Sequence, residues 1–361
     1  MLANKYHSQI KTYGHILFLP VLLFAFILNA KTAVPVFLLS GQSNMTGYAS
    51  DSNLTTDQKK NVDNVKIYMD LVWEGDASKK LTWLTLGTGF GSKANNIGPE
   101  LFLGRTLSDS FPTTKFAFIK CCSGSTYLGK ASDWLPPSSN DGKGGGLYRK
   151  MVDTAIVNAL KTFNTAFDTA QYTPKWAGFV WLQGEFDAND TTYANPYEKN
   201  LTNLINDLRA QLKVDDLPVI IPMIDVQNQW KYNSIVRAAD VKVAQTLENV
   251  DTLDTKGYAT DGTHYTGQGQ VKIGTVSAQR WLAMKYNYGQ AVPVAYRYSQ
   301  KSIQQQASFT NSSSGLLFDV SGRRMVKMNG QTENMPFGIF ITNRNQADAQ
   351  YKVILNGIKT R

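Results

Sequence analysis

The stretch Val34-Pro35-Val36-Phe37-Leu38-Leu39-Ser40-Gly41-Gln42-Ser43-Asn44-Met45 decides how the chain is read. Val34–Leu39 is an almost unbroken apolar run of strand length. It lacks the alternation of a half-exposed strand, which is the mark of a strand covered on both faces in a parallel sheet. In such sheets ligands gather just beyond the carboxyl ends of the strands. Ser43 therefore stands where a reactive hydroxyl is useful, on a turn that Gly41 permits. A serine there can equally be a helix N-cap, so the rest of the chain has to decide between the two.

Outward from this stretch, short apolar runs alternate with segments of helical period from Ala33 to about Gln290. Strands are expected at Val34–Leu39, Val65–Met69, Lys115–Lys120, Ala177–Leu182, Pro218–Ile224 and Val250–Leu253. Helices are expected at Pro99–Ser110, Leu147–Thr162, Tyr193–Leu212, Tyr232–Leu247 and Gly267–Tyr286. Strands and helices taking turns define an α/β fold around a parallel sheet. The segments that leave the strand ends, Ser40–Gly47, Cys121–Tyr127, Gln183–Asp187 and Asp225–Gln229, are the places to look for a site.

The ends of the 361-residue chain read differently. Lys5 and Lys11 precede the uncharged run Ile16–Ala30, the layout of a signal peptide over residues 1–30 with cleavage after Ala30. The run is short for a membrane span and Pro20 interrupts it, so a retained anchor is the second choice. A secreted or cell-surface protein is expected. After a main domain over 31–290, residues 291–315 read as a polar linker rich in Gln, Ser, Asn and Thr. A small β-rich module over 316–361 follows, with strands expected at Leu316–Val320, Arg323–Met328, Gly338–Thr342 and Tyr351–Leu355.

Composition removes several classes. Hydrophobic residues make up 42% and aromatic residues 11%, ordinary for a globular protein. The net charge of +9 is spread along the chain rather than interleaved with aromatics, so no nucleic-acid groove is expected. The two cysteines, Cys121 and Cys122, are adjacent and follow an apolar strand, which points to buried packing residues and no structural disulfide.

Histidine is scarce. Of three, His7 and His15 lie in or beside the presumed leader, leaving His264. A multi-histidine metal site is thereby excluded, and no metal is expected. Asp261-Gly262-Thr263-His264 sets a carboxylate three residues before the imidazole, where it can accept from one ring nitrogen and leave the other to take a proton from a hydroxyl. Ser43 is the hydroxyl in view, although Met45 stands where the nucleophile elbow of α/β-hydrolases has glycine. In Trp181-Leu182-Gln183-Gly184-Glu185-Phe186-Asp187, the two acids are either functional or merely solvated. Tyr127, Trp134 and Trp181 either line a sugar cleft or belong to the core.

Four separated motifs together carry a resemblance: Gly41-Gln42-Ser43-Asn44-Met45, Cys122-Ser123-Gly124-Ser125-Thr126 ahead of Trp134, Trp181 to Asp187, and Asp261-Gly262-Thr263-His264. Their order across roughly Val34 to Met284 resembles the SGNH hydrolases, and within them carbohydrate esterase family six and the sialate O-acetylesterase domains. The resemblance implies a three-layer α/β/α, flavodoxin-like fold with a parallel sheet. It implies an esterase without cofactor, with Ser43 as nucleophile, His264 as base and Asp261 as its orienting carboxylate, a role for which Glu185 competes. The oxyanion hole would combine the N–H groups of Ser43 and Gly124 with the side-chain amide of Gln183. Gln42, Asn44, Tyr127 and Trp134 would touch substrate.

Ser125 replaces the second glycine of the family's Gly-Gly-Thr motif, so a positive φ at this position would change the loop. The substrate implied is an acetylated carbohydrate, acetylated xylan first and O-acetylated sialic acid second. The rival readings are a non-catalytic carbohydrate-binding protein of the same fold and a lipase or thioesterase of the wider group. Residues 316–361 resemble the C-terminal sorting modules of bacterial type IX secretion substrates, which would make the secretion machinery a partner.

Overall fold

The computed structural model describes residues 30–225 and 230–286, together with four short strands nearer the C-terminus. The expected signal peptide up to Asn29, the linker 291–315 and the loop 226–229 lie outside the described residues.

Seven strands form the main sheet: β1 Thr32–Gly41, β2 Val62–Met69, β3 Trp83–Leu86, β4 Phe116–Cys122, β5 Tyr172–Leu182, β6 Val219–Met223 and β7 Val250–Asp254. Their order is β3-β2-β4-β1-β5-β6-β7. All neighbours run parallel except β3, which lies antiparallel at the edge. The strand β3 was not expected, because Trp83-Leu84-Thr85-Leu86 is short and buries only its two ends. The central strand is β1, whose Val36, Phe37, Leu38 and Leu39 are each at most 1% exposed. Each such side chain contributes roughly 1.5–3 kcal/mol by leaving water, so the strand that leads to Ser43 is firmly held.

Four long helices flank the sheet: α1 Glu100–Ser110, α2 Tyr197–Leu212, α3 Asn233–Thr246 and α4 Gly267–Tyr286. On one face, Trp281 of α4 meets Phe37 of β1 edge-on at 5.0 Å, and Phe37 meets Phe118 of β4 at 5.6 Å. On the other face Trp181 of β5 donates to the hydroxyl of Tyr197 on α2 at 3.3 Å. Trp83 of β3 donates to the Ala159 carbonyl at 3.0 Å. Ala159 sits in the helical stretch expected as Leu147–Thr162. That stretch is interrupted by a π-helical segment, Lys150–Ala155, between Gly146–Arg149 and Ile156–Lys161. The α2 helix begins at Tyr197 rather than Tyr193, because Pro196 has no N–H to continue a ladder from the separate turn Thr191–Ala194.

One buried ion pair ties the layers together. Lys120, the fifth residue of an otherwise apolar strand, sits 2.7 Å from Glu100 at the start of α1, both side chains fully buried. The same ammonium donates to the carbonyls of Thr46 at 2.9 Å and Phe90 at 2.8 Å. All three of its protons are thereby engaged, which is what makes a charge tolerable at such depth.

The four C-terminal strands, β8 Leu317–Phe318, β9 Arg324–Met325, β10 Gly338–Ile341 and β11 Tyr351–Ile354, form an antiparallel sheet in the order β9-β8-β10-β11. Each lies inside a range expected from the sequence.

Candidate active site

The site is built on the joined ends of three adjacent strands. Gly41 closes β1 with φ of 144°, and a Cβ there would come within 2.0 Å of the Leu182 carbonyl oxygen. No side chain fits, which is why glycine stands at this position. The chain is then stitched to both neighbours: the Gln42 N–H donates to Leu182 at 3.1 Å, and the Ser123 N–H donates to Gly41 at 3.2 Å. Ser43 opens a single helical turn, Ser43–Thr46. Lys120 holds the end of that turn through the Thr46 carbonyl. Ser43 itself is 8% exposed, while its neighbour Asn44 is wholly enclosed.

Two loops close on Ser43. In the loop after β4, a Cβ on Gly124 would lie 3.6 Å from the Ser43 Cβ and 3.0 Å from Glu74 Oε1. Gly124 thus faces the serine directly. Its neighbour Ser125 is exposed and takes φ of 58° itself. The position that the motif gives to glycine is therefore left-handed, and serine bears it at a cost on the order of 1 kcal/mol.

The second loop brings His264. Asp261 Oδ1 accepts the N–H groups of Thr263 at 2.9 Å and His264 at 2.7 Å, and the Asp261 N–H donates to the His264 carbonyl at 2.9 Å. The carboxylate therefore shapes the loop through its backbone. The expected bond from Asp261 to a ring nitrogen is not found among the described residues: Asp261 Oδ1 is taken up by the two backbone amides, and the carboxylate acts on the imidazole as a nearby negative charge. Burial alone would raise the Asp261 carboxyl, but the two N–H bonds and the nearby imidazole outweigh it and hold it below its ordinary value. For His264 burial dominates and lowers the imidazole pKa, against the opposing charges of Asp261 and Glu74.

The serine and histidine segments are clamped one residue further on. Asn44 Oδ1 accepts the Tyr265 N–H at 3.0 Å, and Gln270 of α4 donates to the Asn44 carbonyl at 2.9 Å. Asn44 Nδ2 donates to Glu185 Oε1 at 2.6 Å. Glu185 is thus corrected as a direct partner of His264: it reaches the histidine loop only through Asn44 and the Tyr265 backbone. Burial lifts its carboxyl to about 7 against the Asn44 bond, which works to lower it.

Four further expectations are corrected by burial. The Gln183 amide donates to Asp187 Oδ2 at 2.7 Å and to the Thr126 carbonyl at 2.9 Å, with Gln42 Oε1 at 3.3 Å. Its two hydrogens are spent inside the protein and cannot also face an acyl oxygen. Gln42, at 1% exposed, and Asn44 are likewise turned inward rather than toward substrate. Trp134 is core: fully buried, it donates to Thr126 Oγ1 at 2.8 Å and meets Trp181 edge-on at 5.6 Å. Tyr127 alone of that set keeps partial exposure, with Lys130 4.1 Å above its ring and Tyr193 beside it.

Two further residues shape the site. Asp187, read from sequence as solvated or functional, is buried and holds the 123–129 loop by accepting the N–H groups of Leu128 and Gly129, each at 2.9 Å. Burial raises its carboxyl to about 6. Tyr48 lies flat on His264, with ring centroids 4.4 Å apart and planes within 10°, and its hydroxyl donates to Glu74 Oε1. Among the described residues no cluster of three His, Cys, Asp or Glu is placed to hold a metal ion. Cys121 and Cys122 are buried and free, and burial pushes both thiols up.

A parallel sheet with a serine turn at the end of its central strand, met by a histidine loop ahead of the last long helix, is the architecture of an SGNH-type hydrolase. Within that class, the chain belongs to the family described as carbohydrate esterase, sialic acid-specific acetylesterase, whose profile matches residues 33–283. A probable carbohydrate esterase of Arabidopsis thaliana, At4g34215, is 26% identical over 264 residues, covering 69% of this chain and 90% of the relative. The X-ray structure of that plant protein superimposes with a TM-score of 0.54 at 23% identity, over 69% of this chain and 98% of the other. A carbohydrate acetylesterase from Xanthomonas citri, XAC1771, superimposes at 0.50 and 16% identity, over 70% of this chain and 57% of its own. NanS also reaches 0.50, at 15% identity, over 72% of this chain and 98% of its own. At these identities the superpositions speak for the fold.

Proposed function

We propose that the chain is a serine esterase that removes O-acetyl groups from carbohydrate, with Ser43 as nucleophile and His264 as base. The observation that carries the reading is the clamp between Asn44 and Tyr265, which ties the residue after the serine to the residue after the only histidine among the described residues. In the reaction, Ser43 Oγ attacks the acetyl carbonyl while His264 takes its proton. The tetrahedral intermediate expels the sugar oxygen, which leaves with that proton, and water then releases acetate from Ser43 by the same route in reverse. The N–H groups of Ser43 and Gly124 stabilise the oxyanion, and Asp261 fixes the loop that presents the imidazole.

Acetylated xylan is the substrate class put first. Glu74 and Asp261 both act on His264 as negative charges, surroundings that suit a neutral sugar chain better than an anionic one. O-acetylated sialic acid is the second reading, favoured by the family's own description. Ser43→Ala should lower acetate release from p-nitrophenyl acetate by on the order of 10⁴-fold or more while leaving the circular dichroism spectrum unchanged. Wild-type rates in that variant would sink the proposal. Acetate release from acetylated xylan and O-acetylated sialic acid, compared at equal concentration, decides between the substrates.

A further inference from the structure

Among the described residues no carboxylate is hydrogen-bonded to the imidazole of His264: the bonds of Asp261 Oδ1 go to the Thr263 and His264 N–H groups, and that of Glu185 Oε1 to Asn44. The ring packed against the imidazole, among the described residues, is Tyr48, just beyond the serine turn, stacked with planes within 10°. Tyr48 is itself tethered, its hydroxyl donating to Glu74 Oε1 from the loop that follows β2. Glu74 Oε2 is buried and has no hydrogen-bond partner. Gly124 packs where both meet: a Cβ on it would lie 3.0 Å from Glu74 Oε1 and 3.2 Å from the Tyr48 hydroxyl. The absence of a side chain at Gly124 therefore leaves room for the tether as well as for the substrate's carbonyl.

We propose that Glu74 and Tyr48 are positioning residues for His264, Tyr48 bracing one face of the imidazole and Glu74 anchoring Tyr48 while placing a negative charge beside the ring. The inference rests on the reading of His264 as the base. Its physical content is specific. A stacked phenol restricts rotation of the imidazole, so less order has to be acquired at the moment of proton transfer. Once His264 carries the serine's proton, it is a cation lying on an aromatic face with a carboxylate behind it. Tyr48 keeps its own proton, since burial first, and then the bond to Glu74 and its charge, push its pKa well up. The charged and titratable groups facing the imidazole are Asp261 from its own loop, Glu74 from the loop after β2, and Tyr48 from the segment after the serine turn. Of the two carboxylates, only Glu74 lies outside every motif of the family.

Two variants separate the parts. Glu74→Gln keeps an acceptor for the Tyr48 hydroxyl and removes the charge; Tyr48→Phe keeps the stacked ring and removes the tether. With p-nitrophenyl acetate, Glu74→Gln should lower kcat by on the order of tenfold with little change in KM. The acidic limb of its kcat/KM profile should move to lower pH, because the charge that favours imidazolium is gone. Tyr48→Phe should lower kcat with the limb nearly in place. The NMR titration of the His264 ring in the full chain reads the same effect without catalysis, and in Glu74→Gln its midpoint should fall. A wild-type midpoint together with a wild-type kcat in Glu74→Gln overturns the proposal. Should that variant fail to fold, an unchanged kcat in Tyr48→Phe overturns it as well. If the wild-type protein hydrolyses no ester, the esterase reading fails, while the titration still decides whether Glu74 acts on His264.

Discussion

Glu185 is a carboxyl group held where water cannot reach it, and its protonation is therefore coupled to folding. Its pKa rises from an ordinary 4.5 to about 7, chiefly through burial. A folded-state value above the unfolded one means that the contribution to stability is complete below the unfolded pKa and is lost as pH rises through the folded one. Glu185→Gln keeps an oxygen for Asn44 Nδ2 and never ionises. The melting temperature of the wild type should therefore fall relative to this variant as pH goes from about 4.5 to about 7, with Asp187 adding a smaller fall common to both. Calorimetry across that window checks it, and parallel curves would show that Glu185 stays ionised. This fate of Glu185 was not legible in the sequence. The placement of Ser43 and Gly124 just beyond the ends of β1 and β4, and of His264 ahead of α4, was legible, because the apolar runs and helical period mark where those segments lie. Whether an acid or amide near them points outward or inward is a matter of three-dimensional packing, and Gln183, Asn44 and Trp134 were each assigned to the cleft when burial turns them to the scaffold.

Strands and helices were read more securely than side-chain directions, since apolar runs and helical period act over many residues. The α4 helix has the expected bounds Gly267–Tyr286, β1 extends beyond its expected range at both ends and β5 at its start, and β4 starts one residue later and ends two residues later than expected. What escaped is what local pattern cannot carry: the antiparallel edge β3, the π-helical segment Lys150–Ala155, and the burial of Lys120 against Glu100. Lys120 joins β4, α1 and the serine turn through Glu100 and the Thr46 carbonyl. Lys120→Met should strand Glu100 as an uncompensated buried carboxylate and cost roughly 3–5 kcal/mol. Lys120→Met combined with Glu100→Gln should recover much of that loss. Chemical denaturation of the two variants tests the coupling, and equal stabilities would refute it.

Across the whole molecule, the family match ends at residue 283 and the antiparallel strands β8 to β11 follow it in sequence. Every residue proposed for the chemistry lies before that boundary. Deletion of Leu316–Arg361 should accordingly leave kcat/KM for p-nitrophenyl acetate within about twofold of the full chain, well under the tenfold that about 1.4 kcal/mol would produce. A larger loss would assign the C-terminal strands to the catalytic fold.

The bond from the Tyr265 N–H to Asn44 spans 221 residues of sequence. The serine leaves the ribosome near the beginning of the domain and the histidine near its end, so a chain still being synthesised holds a placed hydroxyl with no base beside it. On the proposed reading, hydrolytic competence needs both ends of the domain, since Gln270 of α4 donates to the carbonyl of Asn44 beside Ser43. The exchange rate of the single Tyr265 amide would follow the docking of α4, making it a probe of whether the two ends of the domain have met.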